Sequence, residues 1–167
     1  MKTLHTPISD EDIAGLKIGD VVSISGYIYC GRDAVLPRIV RLIQEGRCQE
    51  YGIDLQGAVI FHTAVSPAGV GPTSSNKLEI ESCFDPLSKA GVKIHLGKGA
   101  ISPETVESLA RNHSAYTIIP PVTALLESKT SERECVAFPE LGMEALYRIQ
   151  VEQYEAIVAS VHGESIY

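Results

Sequence analysis

The strongest constraint on this chain is an order that recurs along it: a short apolar run, a loop carrying glycine and a cation, then a stretch with helical apolar rhythm. The order first appears at 21-VVSISGYIYC-30, followed by 31-GRD-33 and then 33-DAVLPRIVRLIQEG-46. There Leu36, Ile39, Val40 and Ile43 recur at helical spacing. It returns at 57-GAVIFHTAV-65, the loop 66-SPAGVGPTSS-75 and the segment 76-NKLEIESCFDPLSKAG-91. In that segment Ile80, Cys83, Phe84 and Leu87 fit one helix face, and Gly91 supplies a stop. The third occurrence is 92-VKIHL-96, the loop 97-GKG-99 and a helix opening at Ser102–Pro103, an N-cap followed by a first-turn proline.

The remaining segments complete the pattern. Ser9 with Asp12 three residues on predicts a capped short helix over 9-SDEDIAGLK-17. Gly26 breaks the alternation of residues 21–30 and predicts a bulge. Pro37 places a helix start close to it, and Pro86 should kink or shorten the helix of 76–91. A strand is expected at 115-AYTIIP-120, a short helix near 122-VTALLES-128 and a strand at 134-ECVAF-138. In the tail, 145-ALYRIQV-151 and 156-AIVASVH-162 read as antiparallel partners before a His162–Gly163 turn. Strands alternating with helices and closing on a hairpin indicate an α/β fold with a mixed sheet, in a single domain spanning 1–167.

Composition narrows the partners. The chain has 167 residues, 44% of them hydrophobic and 21% charged, which suits one packed core and excludes disorder. Its net charge is −7 with no Lys/Arg cluster, so a nucleic-acid partner is not expected. Its longest apolar runs fall well short of the ~20 residues of a spanning helix, so no membrane is expected either. The opening MKTLHTPISDEDIAG lacks the apolar core of a signal peptide and reads as mature cytoplasmic sequence. Cys30, Cys48, Cys83 and Cys135 are widely separated without a C-x-x-C pair. They read as scattered buried thiols in a reducing compartment, with no self-contained zinc or iron–sulfur site in this chain.

Chemistry concentrates in the loops. In 71-GPTSSNK-77, Thr73, Ser74 and Ser75 stand ahead of a helix start, and Lys77 adds positive charge where the helix dipole already attracts anions. An ordinary hydroxyl cap beside a solvated lysine has the same letters. In 97-GKGAIS-102, Lys98 lies between two glycines at the C-terminal end of a strand, without the spacing of a nucleotide-binding P-loop. A flexible turn that happens to hold a lysine is the plainer reading. Arg32 can grip a carboxylate with its planar fork, or pair with Asp33. His5, His62, His95, His113 and His162 show no metal-ligand spacing and are expected to be structural or superficial. Three strand-to-helix junctions that each carry a cation suit a small dianionic ligand.

These residues carry a family resemblance. The chain resembles the β subunits of two-subunit class I fumarases and L-tartrate dehydratases, and the equivalent C-terminal domain of single-chain class I fumarases. The likeness covers nearly the whole chain: TPIS and GDVVSISG near the start, Arg32–Asp33, GPTSS at 71–75, GKG at 97–99, the PP-x-TALL stretch at 120–126 and ELGMEALYRI at 140–149. It implies a swivelling β/β/α domain and reversible addition of water to the double bond of a dicarboxylic acid, with fumarate/malate ahead of tartrate. It also implies a [4Fe–4S] cluster, held by an α subunit, that acts as Lewis acid. Two αβ pairs would then form a heterotetramer. Residue by residue, Arg32 matches the family arginine that binds a substrate carboxylate, Thr73 the proposed catalytic base, and Lys98 the substrate-binding lysine of GKG.

Two positions depart from the family pattern. Lys77 stands where the family loop carries a substrate-binding arginine, which keeps the charge and loses the bidentate fork. Leu36 stands where a histidine commonly follows the Arg–Asp pair, and the loop 64-AVSPAGV-70 is shorter than in many relatives. These departures motivate an alternative from another class: a non-catalytic dicarboxylate-binding or regulatory module that retains the fold.

Overall fold

A computed structural model describes residues 1–66, 69–73, 77–119 and 129–167; over 64–66, 69–73 and 77–80 the description is of the backbone. The strands are β1 (Lys2–His5), β2 (Val21–Cys30), β3 (Val59–Phe61), β4 (Thr63–Ser66), β5 (Gly69–Thr73), β6 (Ile94–Gly97), β7 (Ala115–Ile118), β8 (Thr130–Ala137), β9 (Leu146–Val161) and β10 (Glu164–Ser165). The helices are α1 (Asp10–Ala14), α2 (Leu36–Glu45), α3 (Lys77–Lys89) and α4 (Pro103–Arg111), with short 3-10 turns at Cys48–Tyr51 and Pro139–Glu144. The helix expected near 122–128, the TALL stretch, and Ser74 and Ser75 lie outside the described residues.

Local chemistry explains where several elements begin. The Ser9 hydroxyl accepts from the Asp12 N–H at 3.1 Å while the Asp12 carboxylate accepts from the Ser9 N–H at 3.0 Å, a reciprocal capping box for α1. Ser102 caps α4 by accepting from the Thr105 N–H, with Pro103 in the first turn. Pro37 occupies the first turn of α2, where its missing N–H costs nothing. Helix α3 continues past Pro86 to Lys89, so the proline does not shorten it. The lost hydrogen bond is offset by burial of Cys83, Phe84 and Leu87 along the same helix.

The mixed α/β architecture expected from the sequence is present. Strands β1, β2, β3, β6 and β7 run parallel in that order, and β9 pairs antiparallel with both β7 and β2. Pairing of β9 with β2 brings the sheet back onto itself, so β2, β3, β6, β7 and β9 form a closed circuit. Alternating side chains point inward, among them Ile24, Ile28, Phe61, Leu96, Val151 and Tyr154, and pack with Ile13 and Leu16 into one core. The opposite face of these strands, including Tyr29 and Ile60, packs on Leu36, Ile39, Leu42, Cys83 and Leu87 of α2 and α3.

Two expectations need correction. Residues 145–151 and 156–162 are not antiparallel partners: they belong to one 16-residue strand, β9, and the partner formed after the His162–Gly163 turn is β10. The interruption in the apolar pattern at 152–153 is a bulge. Partners of β9 jump from Val151 to Tyr154 while those of β2 advance from Gly26 back to Ile24, leaving an extra residue on β9. Glu152-Gln153 lacks the glycine, proline or asparagine that a tight turn needs. The second correction concerns residues 57–75. They are not one strand followed by a loop, because β3 ends at Phe61 and β4 pairs with β5 as a two-stranded antiparallel unit with Val65 opposite Val70. Glycine and proline in this stretch mark the turn without preventing the apolar pair from forming a ladder.

The bulge makes a test. Gln153 sits at φ 54°, a left-handed conformation that disfavours side chains, and its N–H donates to the Ser25 hydroxyl at 2.9 Å. Gln153→Gly should stabilise the fold by about 0.5 kcal/mol and Gln153→Val should destabilise it by about 1–2 kcal/mol, since β-branching is worst in that region. Urea midpoints of the three proteins check the order; equal midpoints would show that Gln153 carries no left-handed strain.

Candidate functional site

The site is built on the C-terminal ends of the parallel strands. Cys30, Phe61, Leu96 and Thr117 are register partners across β2, β3, β6 and β7, so the chain leaves these strands along one rim. Two backbone bonds extend the ladder one residue further: Gly31 N–H to the Phe61 carbonyl and His62 N–H to the Leu96 carbonyl, each at 3.0 Å. Arg32, Thr63 and Lys98 then follow directly. Arg32 and Lys98 stand on either side of β3, two strand spacings apart, roughly 10 Å. Thr73 returns to the same rim because β5 pairs it with Thr63, and α3 begins four residues later at Lys77. All four residues singled out from the sequence, Arg32, Thr73, Lys77 and Lys98, therefore reach this rim, Thr73 and Lys77 by the course of their backbone. Ligands of open α/β sheets bind at this end of the strands.

Arg32 is held by its own helix start. Its carbonyl accepts from the N–H groups of Val35 and Leu36, and Gly31 before it allows Val35 and Leu36 to pack against the turn. The guanidinium is about three-quarters covered. Its Nε lies 3.7 Å from the Asp33 carboxylate and 3.6 Å from that of Glu144, and makes no hydrogen bond. At such separations the two carboxylates balance the charge without a hydrogen bond to this enclosed nitrogen. Glu144 ends the Pro139–Glu144 turn, which lies beside β4. Its place opposite Arg32 could not be read from residue spacing, because 112 positions separate the two. Leu36 is fully buried among Val35, Ile39 and Leu146, so that position serves the core in this chain.

The 97-GKG-99 loop is shaped by one tyrosine. A Cβ on Gly97 would come within 3.1 Å of the Tyr116 ring, and Gly99 has φ 77°, so both positions favour glycine for different reasons. Tyr116 donates its hydroxyl to the Gly99 carbonyl at 3.0 Å, and burial pushes that phenol's pKa up, keeping it a donor. On the far side of the loop, the Glu81 carboxylate of α3 accepts from the Ser102 N–H at 2.6 Å and from the Thr105 hydroxyl at 2.8 Å. Lys98 is thereby presented at the exposed crest of a loop fixed at both ends.

Beneath the rim lies a polar group that spacing does not reveal. His62 Nε2 and His95 Nδ1 are 3.1 Å apart, and His95 Nε2 is 2.9 Å from the Ser88 hydroxyl. Phe84 stacks on His95 at 4.3 Å between centroids and lies against His62 at 4.8 Å. Both imidazoles are completely enclosed. Burial first, and then the neighbouring His62, hold the His95 pKa well below the ordinary histidine value. Both are enclosed between β3, β6 and α3, the structural place that the sequence reading gives them. Their mutual contact follows from the register, which pairs Ile60 with His95 on adjacent parallel strands.

No three His, Cys, Asp or Glu side chains among the described residues converge to hold a metal. The thiols do not suit an iron–sulfur cluster: Cys30 is enclosed with its pKa pushed up by burial and Cys83 is buried, while Cys48 is half-buried and Cys135 exposed, against the expectation that all four are buried. A cluster needs thiolates, which apolar burial disfavours. Among the described residues, no helix is long and apolar enough to cross a membrane.

Comparison with known proteins bears on this rim. A family model described as the fumarase C-terminus matches residues 2–167. The chain is 31% identical to the L(+)-tartrate dehydratase subunit beta of Escherichia coli (strain K12), across 99% of this chain and 86% of that protein. The corresponding subunit of Shigella boydii serotype 4 (strain Sb227) is 30% identical over the same shares. The anaerobic class I fumarate hydratase of Escherichia coli (strain K12) is 32% identical across 82% of this chain but only 26% of its own length.

The buried imidazoles link stability to pH. Below the ordinary histidine value of 6.5 the unfolded chain takes up a proton at His95 that the native chain refuses. The native state therefore binds fewer protons, and stability falls as pH falls, by up to about 1.4 kcal/mol per pH unit from this group. His62 is the titratable neighbour that acts on it. Urea denaturation between about pH 7 and about pH 5 should show this decline in the wild type and a shallower one in His95→Gln. Parallel declines in the two proteins would remove His95 as its source.

Proposed function

Because the chain belongs to the fumarase C-terminus family, we propose that it is the β subunit of a hydro-lyase that adds water to, or removes it from, a four-carbon dicarboxylate. The observation that carries this reading is the single rim on which Arg32 and Lys98 flank β3 while Thr73 lies opposite Thr63. Two cations on either side of one strand suit a ligand with a carboxylate at each end. Lys77 adds a third positive charge at the start of α3. The chain's net charge of −7 does not oppose this, since the charges nearest the ligand govern binding.

In dehydration of a hydroxy-dicarboxylate, a proton leaves one carbon and hydroxide leaves its neighbour, so the C=C bond forms as water is lost. Arg32 and Lys98 bind the carboxylates and fix the carbon skeleton. Thr73 handles the carbon-bound proton. A threonine hydroxyl is a weak base, and cationic surroundings favour its ionised form. The family resemblance implies a [4Fe–4S] cluster held by an α subunit, and thiols in this chain that do not fit such a cluster agree with that. It also implies an αβ assembly and an isolated chain without turnover.

The alternative, a dicarboxylate-binding module without turnover, is favoured by Leu36, an apolar residue in the core where a polar group would otherwise stand near Arg32. Purification with an anaerobically reconstituted α subunit separates the two. The hydro-lyase reading expects hydration of fumarate or dehydration of malate or tartrate by the complex and none by either subunit alone. Thr73→Ala should lower kcat by at least roughly 100-fold. Lys98→Ala should lower kcat/KM by roughly 100-fold, a few kcal/mol of lost charge-assisted hydrogen bonding. Lys77→Arg, which restores a planar fork, should shift the preference among the three substrates. An active complex unaffected by Thr73→Ala would take Thr73 out of the reaction. Tight calorimetric binding of dicarboxylates by a complex without turnover would favour the module.

A further inference from the structure

Three polar groups of this chain are buried with no part in the chemistry just described, and they lie directly beneath it. His62 is 1% exposed, His95 0% and Ser88 3%. Leucine, valine or phenylalanine would fill the space between β3, β6 and α3 without desolvating four ring nitrogens and a hydroxyl. The burial of polar groups at a position where apolar ones would suffice points to a role other than stability.

Their placement suggests what that role is. His62 closes β3 and stands immediately before Thr63, whose register partner is Thr73. His95 lies on β6, three residues before Lys98, and Ser88 lies on α3, the helix that starts at Lys77. The backbone ladder between β3 and β6 ends at the bond from His62 N–H to the Leu96 carbonyl, after which the chain turns into β4 on one side and the glycine loop on the other. The imidazole contact at 3.1 Å ties the end of β3 to the middle of β6, and the hydroxyl contact at 2.9 Å ties β6 to α3. Phe84, 12° from parallel with the His95 ring, holds that ring's plane.

We propose that His62, His95 and Ser88 form a positioning strut that fixes the separation between the proton-handling strand pair, Thr63 with Thr73, and the carboxylate-binding Lys98. The strut rests on the hydro-lyase reading of the site and adds to it three residues that touch no substrate. Its chemistry is self-consistent in two forms. When His62 Nε2 carries the proton, it donates to His95 Nδ1, and His95 Nε2–H donates to the Ser88 oxygen. When His95 Nδ1 carries the proton, it donates to His62 Nε2, and the Ser88 hydroxyl donates to His95 Nε2. In both forms each of the two contacts joins a donor to an acceptor without a charge on either ring. Protonation is opposed by the burial that lowers the His95 pKa.

The test uses the reconstituted αβ complex and compares wild type with His95→Leu, His95→Gln and Ser88→Ala. Misplacement of a reacting group by a fraction of an ångström to one ångström costs up to about 100-fold in rate. His95→Leu should lower kcat by roughly 30-fold with KM changed by less than about threefold, and His95→Gln should recover part of that loss. In a Thr73→Ala background His95→Leu should lower kcat by less than about threefold more, because the strut acts through Thr73. If His95→Leu does not fold, Ser88→Ala, which keeps the shape of the site, should still lower kcat by roughly 5-fold. Folded variants with wild-type kcat, or losses that multiply fully in the Thr73→Ala background, would overturn the strut. A wild-type complex with no turnover on any dicarboxylate would instead overturn the hydro-lyase reading, and the strut with it.

Discussion

The antiparallel pairing of β2 with β9 is the constraint on which the rest of this structure depends. It runs from Val21 opposite Ile157 to Cys30 opposite Tyr147, interrupted by one bulge. Without it, β1 to β7 would form an open parallel sheet with β9 as an edge strand. With it, the five strands close, and the side chains of alternate residues face a shared interior. Closure also leaves the loops after β2, β3 and β6 nowhere to diverge, since each strand is held on both edges. A rim assembled in this way positions groups that are far apart in sequence, such as Arg32 and Glu144, with little reliance on the loops themselves.

The rim is locally cationic within an acidic chain. Arg32, Lys77 and Lys98 lie there, with Asp33 and Glu144 set at distances that balance Arg32 without saturating it. A small dianion entering such a site gains hydrogen bonds that the resident carboxylates do not make. Beneath the same rim burial disfavours the charged form of His95, so that imidazole supports the site without competing for its ligand.

Much of this was legible in the sequence because it rests on short-range chemistry. Ser9 with Asp12, and Ser102 with Pro103, announce helix starts through the N–H groups they cap. Gly26 marks the place where the β2–β9 register shifts, although the extra residue lies on β9, and the strand–loop–helix order announces the α/β class. The family was legible too, from GPTSS, GKG and ELGMEALYRI together. What could not be read were relations that depend on which strands become neighbours. The apolar rhythm breaks at Glu152-Gln153 as it would for a turn; the lack of a turn residue there argues for a bulge, and pairing with β2 fixes it. Likewise, two histidines 33 positions apart carry no spacing signal, and they meet because β3 and β6 are adjacent in register.

The hydrogen bond from Tyr116 to the Gly99 carbonyl has a practical consequence. The chain contains no tryptophan and seven tyrosines, so its intrinsic emission is entirely phenolic. Tyr116 is enclosed, clamps the loop that carries Lys98, and lies next to Phe84 at 5.9 Å. Its emission and its ring resonances therefore follow the geometry of the glycine loop from inside the protein. The chain carries an optical and magnetic probe of that loop, with no label to attach.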